Sequence, residues 1–476
     1  MLDAAAVTSK PRQHRADEAR SGTGEYDSRA TATRSHRGER PTTSDNSVST
    51  LDPEPPRSPR PDRASWIPAS LRRAFVSFEE RDFRYLGLSS LMLGFGQWGQ
   101  QIALPLLAVQ LTGSAVQIGI VAGFRSGVGV LTAPLGGYLA DRFPRRTVIV
   151  WTTASSVVQA CLFAGLILTG QIQMWHVYVL AFAGGLIQSF SQPARQAFVY
   201  DITTDDTLMN AVAMNSVMQN VARIAGPPLA GLIIGVWGTG AVFLCLATTQ
   251  LFAMTMTLAI SLRTRQLRST GGRSIGASFR DIGDGFRYTL GNPLLLGLML
   301  AQAIPLLLVV PYLPFLTLFG QMLHPGAGAA LAFGLLSSMA GWGSIIGLMG
   351  LVLLGDTKRK GALMIGAFTG YMLMVLVFTR STSFPLSLGL LVIVGIFSGA
   401  AFALNNTLVQ IAAKNEYRGR VLSVWQMISS LQFLGGYPMG LLIDRWGPAN
   451  GVGVFAVAGV LTMLVFILTF GSVRRA

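Results

Sequence analysis

Charge is what this chain has least of. Only 12% of its 476 residues are Asp, Glu, Lys or Arg, about half the share of an ordinary soluble domain. The deficit sharpens beyond the first 84 residues, where 31 charged side chains are spread over 392 positions. That is too few to coat a soluble surface. Cysteine is nearly absent as well. Cys161 and Cys245 sit in apolar stretches without metal-ligand spacing and read as packing residues. The four histidines, His14, His36, His176 and His324, fall in the N-terminal tail or in connecting loops. There is no H-E-x-x-H helix and no G-x-x-x-x-G-K-[ST] phosphate loop, which argues against metalloprotease chemistry and direct ATP drive. No enzyme constellation, cofactor site or metal site is predicted. The first 60 residues also lack an apolar run of signal-peptide length.

What the chain has in abundance is apolar runs of membrane length. A hydrocarbon core about 30 Å thick needs roughly 20 apolar residues per helix. Twelve such runs occur, near 85–111, 116–140, 147–169, 175–192, 211–235, 240–262, 293–319, 329–354, 362–379, 385–411, 421–443 and 452–471. The predicted fold class is therefore an all-α membrane protein of twelve transmembrane helices. Residues 1–65 are rich in Arg, Ser, Thr, Pro and Asp and cannot bury a core, so they are expected to be a disordered tail. Residues 66–84 read either as a short interfacial helix or as a lead-in to the first span.

The net charge of +15 does not point to nucleic acid. The tail nearly neutralises itself, and the remaining cations lie in short loops. With twelve spans the loops alternate between two sides. One set includes "DRFPRR", the stretch 192–206, segment 263–292, "GDTKRKG" and "KNEYRGR"; with the C-terminal tail it holds 18 Lys and Arg, against two in the other set, Arg380 and Arg445. The positive-inside rule then puts both termini and the basic loops on the cytoplasmic side. Segment 263–292 is the predicted central cytoplasmic loop between six-helix bundles at 85–262 and 293–476.

The two bundles read as a repeat. A shift of 209 residues lays Gly226, Gly231, Trp237 and Gly238 over Gly435, Gly440, Trp446 and Gly447. A shift of 215 lays Asp141 over Asp356. Parallel six-helix repeats are the signature of a secondary transporter with alternating access.

The loop after the second span, Gly137-x-x-x-Asp141-Arg142-x-Pro144-Arg145-Arg146, resembles the G-x-x-x-D-R-x-G-R-R motif of the major facilitator superfamily, with Pro144 in place of a glycine. The stretches 102–119, 192–198, 215–231 and 418–423 are similar to the branch that contains enterobactin and macrolide exporters. The resemblance implies that spans 1, 4, 7 and 10 line a cavity and that spans 2, 5, 8 and 11 join the halves. It implies an exporter of a small amphiphile, a siderophore or drug-like compound, in a bacterial inner membrane. The expected transporter is monomeric and coupled to an ion gradient, with H+ favoured. An importer on the same fold and a non-transporting membrane sensor or scaffold are the alternatives.

Candidate site residues are the polar side chains inside the spans. Only Arg125 and Arg223 are charged there, and each reads as either an anion contact or a structural lock. Asn215 and Gln219 share a helical face with Arg223. Gln97, Gln101, Gln188, Gln302, Asn405, Asn406 and Gln410 complete the cavity set. Many relatives of the exporter branch carry an acid where Gln97 stands. Gln cannot carry a proton, which leaves Asp141 or Asp201 as the nearest carboxylates. The conformational latch is assigned to Gly137, Asp141, Arg142, Arg145, Arg146, Asp356, Lys358, Arg418 and Arg420, with Asp141 capping span 11 near Val421. The interface hinge is assigned to Gly226, Pro227, Gly231, Gly435 and Gly440. "GLLIDRWG" (440–447) copies the motif on the opposite side of the membrane and reads as a false twin.

Overall fold

The computed structural model describes residues 81–203, 205–260, 275–355, 359–470 and 473. The tail 1–65, most of 66–84, and Asp356 and Lys358 lie outside them, and so do the side chains of Gly137, Asp141 and Arg142. The described residues are helical throughout, with short connections. Six long helices form the first half: α1 (Arg81–Thr112), α2 (Ala115–Arg142), α3 (Arg145–Leu168), α4 (Met174–Ile202), α5 (Asp205–Trp237) and α6 (Thr239–Ala259). Residues 81–84 are the first turn of α1.

Among the described residues the second half contains seven α-helices, with more breaks than the first. Its helices are α8 (Pro293–Leu308), α9 (Tyr312–Leu323), α10 (Ala329–Leu354), α11 (Lys360–Thr379), α12 (Phe384–Ala412), α13 (Arg418–Ser430) and α14 (Phe433–Thr469). The seventh run is split into α8 and α9. The ring of Pro305 removes a donor, and the Val309 and Val310 amides both turn back to the Pro305 carbonyl. Pro311 then opens α9. The stretch Arg418–Thr469 is 52 residues long, about 78 Å as one rod and far too long for one crossing. Gly447, at φ 81° and ψ 165°, folds it back on itself.

The sequence repeat is visible in the backbone. Gly238, the repeat partner of Gly447, has nearly the same conformation at φ 83° and ψ 171° and opens α6. Both positions need a left-handed φ that glycine alone adopts freely.

Segment 263–292 is not loop throughout. Ile275–Leu290 forms α7, because Ile275, Phe279, Ile282 and Phe286 recur at helical spacing among Arg280, Asp281, Asp284 and Arg287. It docks on α13: Asp284 pairs with Arg420 at 3.5 Å, and the Tyr288 and Tyr417 rings stack at 4.3 Å.

Among the described residues, eight helical stretches are long and apolar enough to cross a membrane. Their outward faces are aliphatic and aromatic, with Trp151, Leu353 and Leu468 exposed. In water such a surface would aggregate; in lipid it is the expected solvent-facing side. Inside the halves, aromatic pairs tie neighbours together. Phe163 stacks on Phe243 at 4.5 Å between α3 and α6, and Phe368 meets Phe402 edge-on at 5.3 Å between α11 and α12.

Candidate functional site

A cavity of about 1100 Å³ lies between the two halves. It is slightly larger than the roughly 300–1,000 Å³ of most small-molecule sites. Its first-half wall is α1 with Gln97, Gln100 and Gln101, α2 with Arg125 and Ser126, and α4 with Gln188, Ser189, Gln192 and Gln196. Its second-half wall is the start of α9 and a polar stripe on α13, from Ser423 through Gln426 to Ser429 and Ser430. Glu416, Gly419 and Arg420 line the mouth beside the basic loops. The opposite end, near Ile118, Leu104 and Phe315, is apolar.

That apolar end is shut by a contact between halves. Asp444, at the end of the first leg of α14, reaches the start of α2. It accepts hydrogen bonds from the Ala115 amide at 2.6 Å, the Val116 amide at 3.2 Å and the Ser114 hydroxyl. These amides are among the four that a helix start leaves unpaired, and the helix dipole favours the carboxylate there. The stretch read as a false twin thus makes a contact between the halves, with Asp444 capping the start of α2. Beside it the backbones of α2 and α14 touch. A methyl on Gly119 would collide with the Gly436 carbonyl, and one on Gly440 would stand 2.8 Å from the Ala115 carbonyl.

The repeat-related pair, α5 and α10, closes the same seam. A methyl on Gly231 would strike the Ala330 carbonyl, and one on Gly334 would strike the Pro227 carbonyl. The Ser338 hydroxyl donates to the Ile224 carbonyl at 2.6 Å. Of the hinge candidates, Gly231, Gly440 and Pro227 stand at this seam. Gly226 packs on Trp98 and Gly435 on Leu307, each within its own half.

Gln97, Gln101, Arg125 and Gln188 line the cavity; the other candidates do not. Arg223 lies over the Trp98 ring at 5.6 Å, with its stem against Gly341 of α10. Gln219 is exposed and Asn215 partly so, both off the cavity wall. Gln302 is buried and donates to the Ser429 hydroxyl at 2.7 Å. Asn406 and Gln410 bond to one another outside the cavity.

Asn405 is fully buried, gives a hydrogen bond to the Leu298 carbonyl at 2.8 Å and accepts one from the Trp425 indole at 2.9 Å. It ties α12 to α8 and α13. Asn405→Ala leaves the partly buried Trp425 indole N–H without its acceptor and removes the second bond at the Leu298 carbonyl, so the detergent-solubilised protein should lose about 1–3 kcal/mol of stability, read as a lowered melting temperature with the cavity intact. A polar residue in a span has the same signature whether it locks helices or faces a ligand. The sequence therefore could not separate these groups. The α13 stripe had a readable signal in its i, i+3, i+6 polar spacing.

Two of the latch arginines, Arg145 and Arg146, bond within the first half. Arg145 binds Asp201 at 2.6 Å and the Ala197 carbonyl at 2.9 Å, and Arg146 donates to the Leu258 carbonyl. Together they fasten α3 to the ends of α4 and α6. Partial burial raises the Asp201 carboxyl above its ordinary range, and Arg145 opposes that shift. Asp201 is off the cavity wall. Asp201→Asn should lower thermal stability by only about 0.5–1 kcal/mol, as for other partly exposed pairs, and leave the distance between the halves unchanged. Arg418 is exposed, and Arg420 lies at the cavity mouth with its guanidinium over Tyr417.

Comparison with known proteins gives the same architecture. The family model for the Major Facilitator Superfamily matches residues 86–432. The staphyloferrin A transporter of Staphylococcus aureus is 24% identical over 389 residues, covering 80% of this chain and 95% of that protein. The enterobactin exporter of Shigella flexneri is 24% identical over 380 residues, covering 77% and 87%. The crystal structure of the nucleoside transporter NupG superposes with a TM-score of 0.66 at 14% identity, covering 82% of this chain and 99% of that one.

Proposed function

The chain belongs to the major facilitator superfamily, and from that premise we propose that it exports a small amphiphilic molecule, a siderophore or drug-like compound, by rocking of its halves. The observation that carries this reading is the graded cavity. It is polar at the mouth beside the basic loops and apolar at the end closed by Asp444. The charge bias makes the basic side cytoplasmic, so the present state is open to the cytoplasm and ready to load cargo for export. The siderophore relatives support that class of cargo.

Two carboxylates alternate as latches in this reading. Asp444 holds the outer end shut in the present state. Asp141, at the other end of α2, caps α13 near Val421 when the inner end closes. Drive comes from an ion gradient, with H+ as the coupling ion. Gln97 cannot titrate, and Glu416 on the wall of the mouth is better placed for that role than Asp201.

Everted membrane vesicles test the proposal. A pH or sodium gradient should drive uptake of a siderophore or an efflux dye. If neither gradient drives uptake of any such compound, the export reading fails. Net inward flux in whole cells would support the importer instead.

A further inference from the structure

We propose that the cavity contains a single anion subsite centred on Arg125, so that its ligand is a monoanionic amphiphile carrying a carboxylate or sulfonate. The subsite rests on the reading of this cavity as the substrate site, but not on the direction of transport.

Arg125 stands ten residues into α2, about 15 Å along its axis, near the middle of the membrane. An ionised group at that depth faces protein partners or a wet cavity. Arg125 lines the cavity and has no ion pair or hydrogen bond among the described residues. Its backbone is fixed, because α4 packs directly on it. Gly185 lies so close to the Arg125 carbonyl that a side chain at 185 would overlap it, and Gly129 faces the Ser189 hydroxyl one turn further on. The guanidinium is therefore carried at a defined level of a rigid helix pair.

The surroundings select the charge of the ligand. On the cavity wall the only other charged groups among the described residues are Glu416 and Arg420, both at the mouth. A dianionic phosphate at mid-membrane would need more than one cation. One planar guanidinium matches one carboxylate through two parallel hydrogen bonds. Gln97, Gln101 and Gln188 also face the cavity and make no side-chain hydrogen bond among the described residues. Their amides remain available to the polar body of a ligand. Val121 and Ile118, one and two turns outward on α2, offer an apolar wall. The ligand then sits with its acid on Arg125, its apolar end outward and its polar body toward the mouth.

The test is equilibrium binding to the whole protein in lipid nanodiscs, with empty discs subtracted. The probes are 2-naphthoate and salicylate, each compared with its own methyl ester. The native protein should prefer each acid over its ester by at least about 30-fold, roughly the strength of one charge-assisted pair. Arg125→Gln should collapse that preference to within about threefold while ester binding persists, which shows that the variant is folded. Arg125→Lys should keep an intermediate preference, because it retains charge without the planar fork. Equal binding of acid and ester, no binding of either acid, or an unchanged preference in Arg125→Gln would each overturn the subsite. No gradient is involved. Failed vesicle transport beside an Arg125-dependent acid preference would therefore remove the export reading alone. Gradient-driven export with no acid preference would remove the subsite alone.

Discussion

Asp444→Asn is expected to release the outer end of the molecule while leaving both halves folded. An Asn of the same shape keeps one acceptor oxygen and puts an NH2 group where the other stood. That group cannot accept from Ser114 or Val116, and it faces amides that already carry positive partial charge. The charge that suits a helix start is lost as well. The contact is exposed, so water partly replaces what is removed. A net loss of about 1.5–3 kcal/mol is reasonable for charge-assisted bonds, and it would move the balance between states about 10- to 150-fold outward. Spin labels on Thr112→Cys and Trp446→Cys, with Cys161 and Cys245 replaced, should report a short outer distance in the native background and a longer one in the variant. An unchanged distance distribution would show that Asp444 is not a latch. Transport should slow, because resetting to the loading state becomes the difficult step.

Gly119→Ala should act in the same direction and more strongly. The added methyl lands on the Gly436 backbone carbonyl, closer than 3.0 Å, and backbone cannot swing away as a long side chain could. Overpacking of well-packed sites costs about 1–3 kcal/mol even where neighbours can shift, and here relief requires α2 and α14 to part. Transport should fall at least about tenfold, and the outer label distance should lengthen. Gly123→Ala is the control one turn away. Nothing lies within 4 Å of a methyl there, so its transport should stay within about twofold of native. If the two variants behave alike, α2 and α14 do not form the closing seam.

Much of this could be read directly from residues. Twelve apolar runs and a one-sided distribution of Arg and Lys follow from the solvent the chain must satisfy, and those constraints are written locally. Gly238 and Gly447 reveal the repeat because a left-handed turn demands the same residue twice. Gln97, Gln101, Gln188 and Arg125 stand out because polar groups in a span need a reason. Arg223 and Asn405 stand out equally, and their reasons are Trp98 and a buried lock. Only packing distinguishes the two cases. Asp444 was visible but looked incidental, since a cap between elements 330 residues apart leaves no local trace. The helix α7 was hidden by its charges, which make an amphipathic helix resemble a loop when only apolar run length is counted.

The glutamines of α1 have a consequence for how the protein is built. Gln97, Gln100 and Gln101 fall within five residues near its middle, and α1 is not among the eight stretches apolar enough to qualify as spans on composition. It is nevertheless the first helix of the first bundle to leave the ribosome. Partitioning into lipid rewards apolar length and penalises such amides, so α1 gains little by entering the bilayer alone. Its partners are α5 and α6, where Ser89 donates to the Ala253 carbonyl and pairs with Thr257. A chain truncated after α4 should therefore insert α1 less efficiently than the full chain, read by glycosylation or protease mapping of its ends. The same polar residues that line the finished cavity make α1 depend on its neighbours for its place in the bilayer.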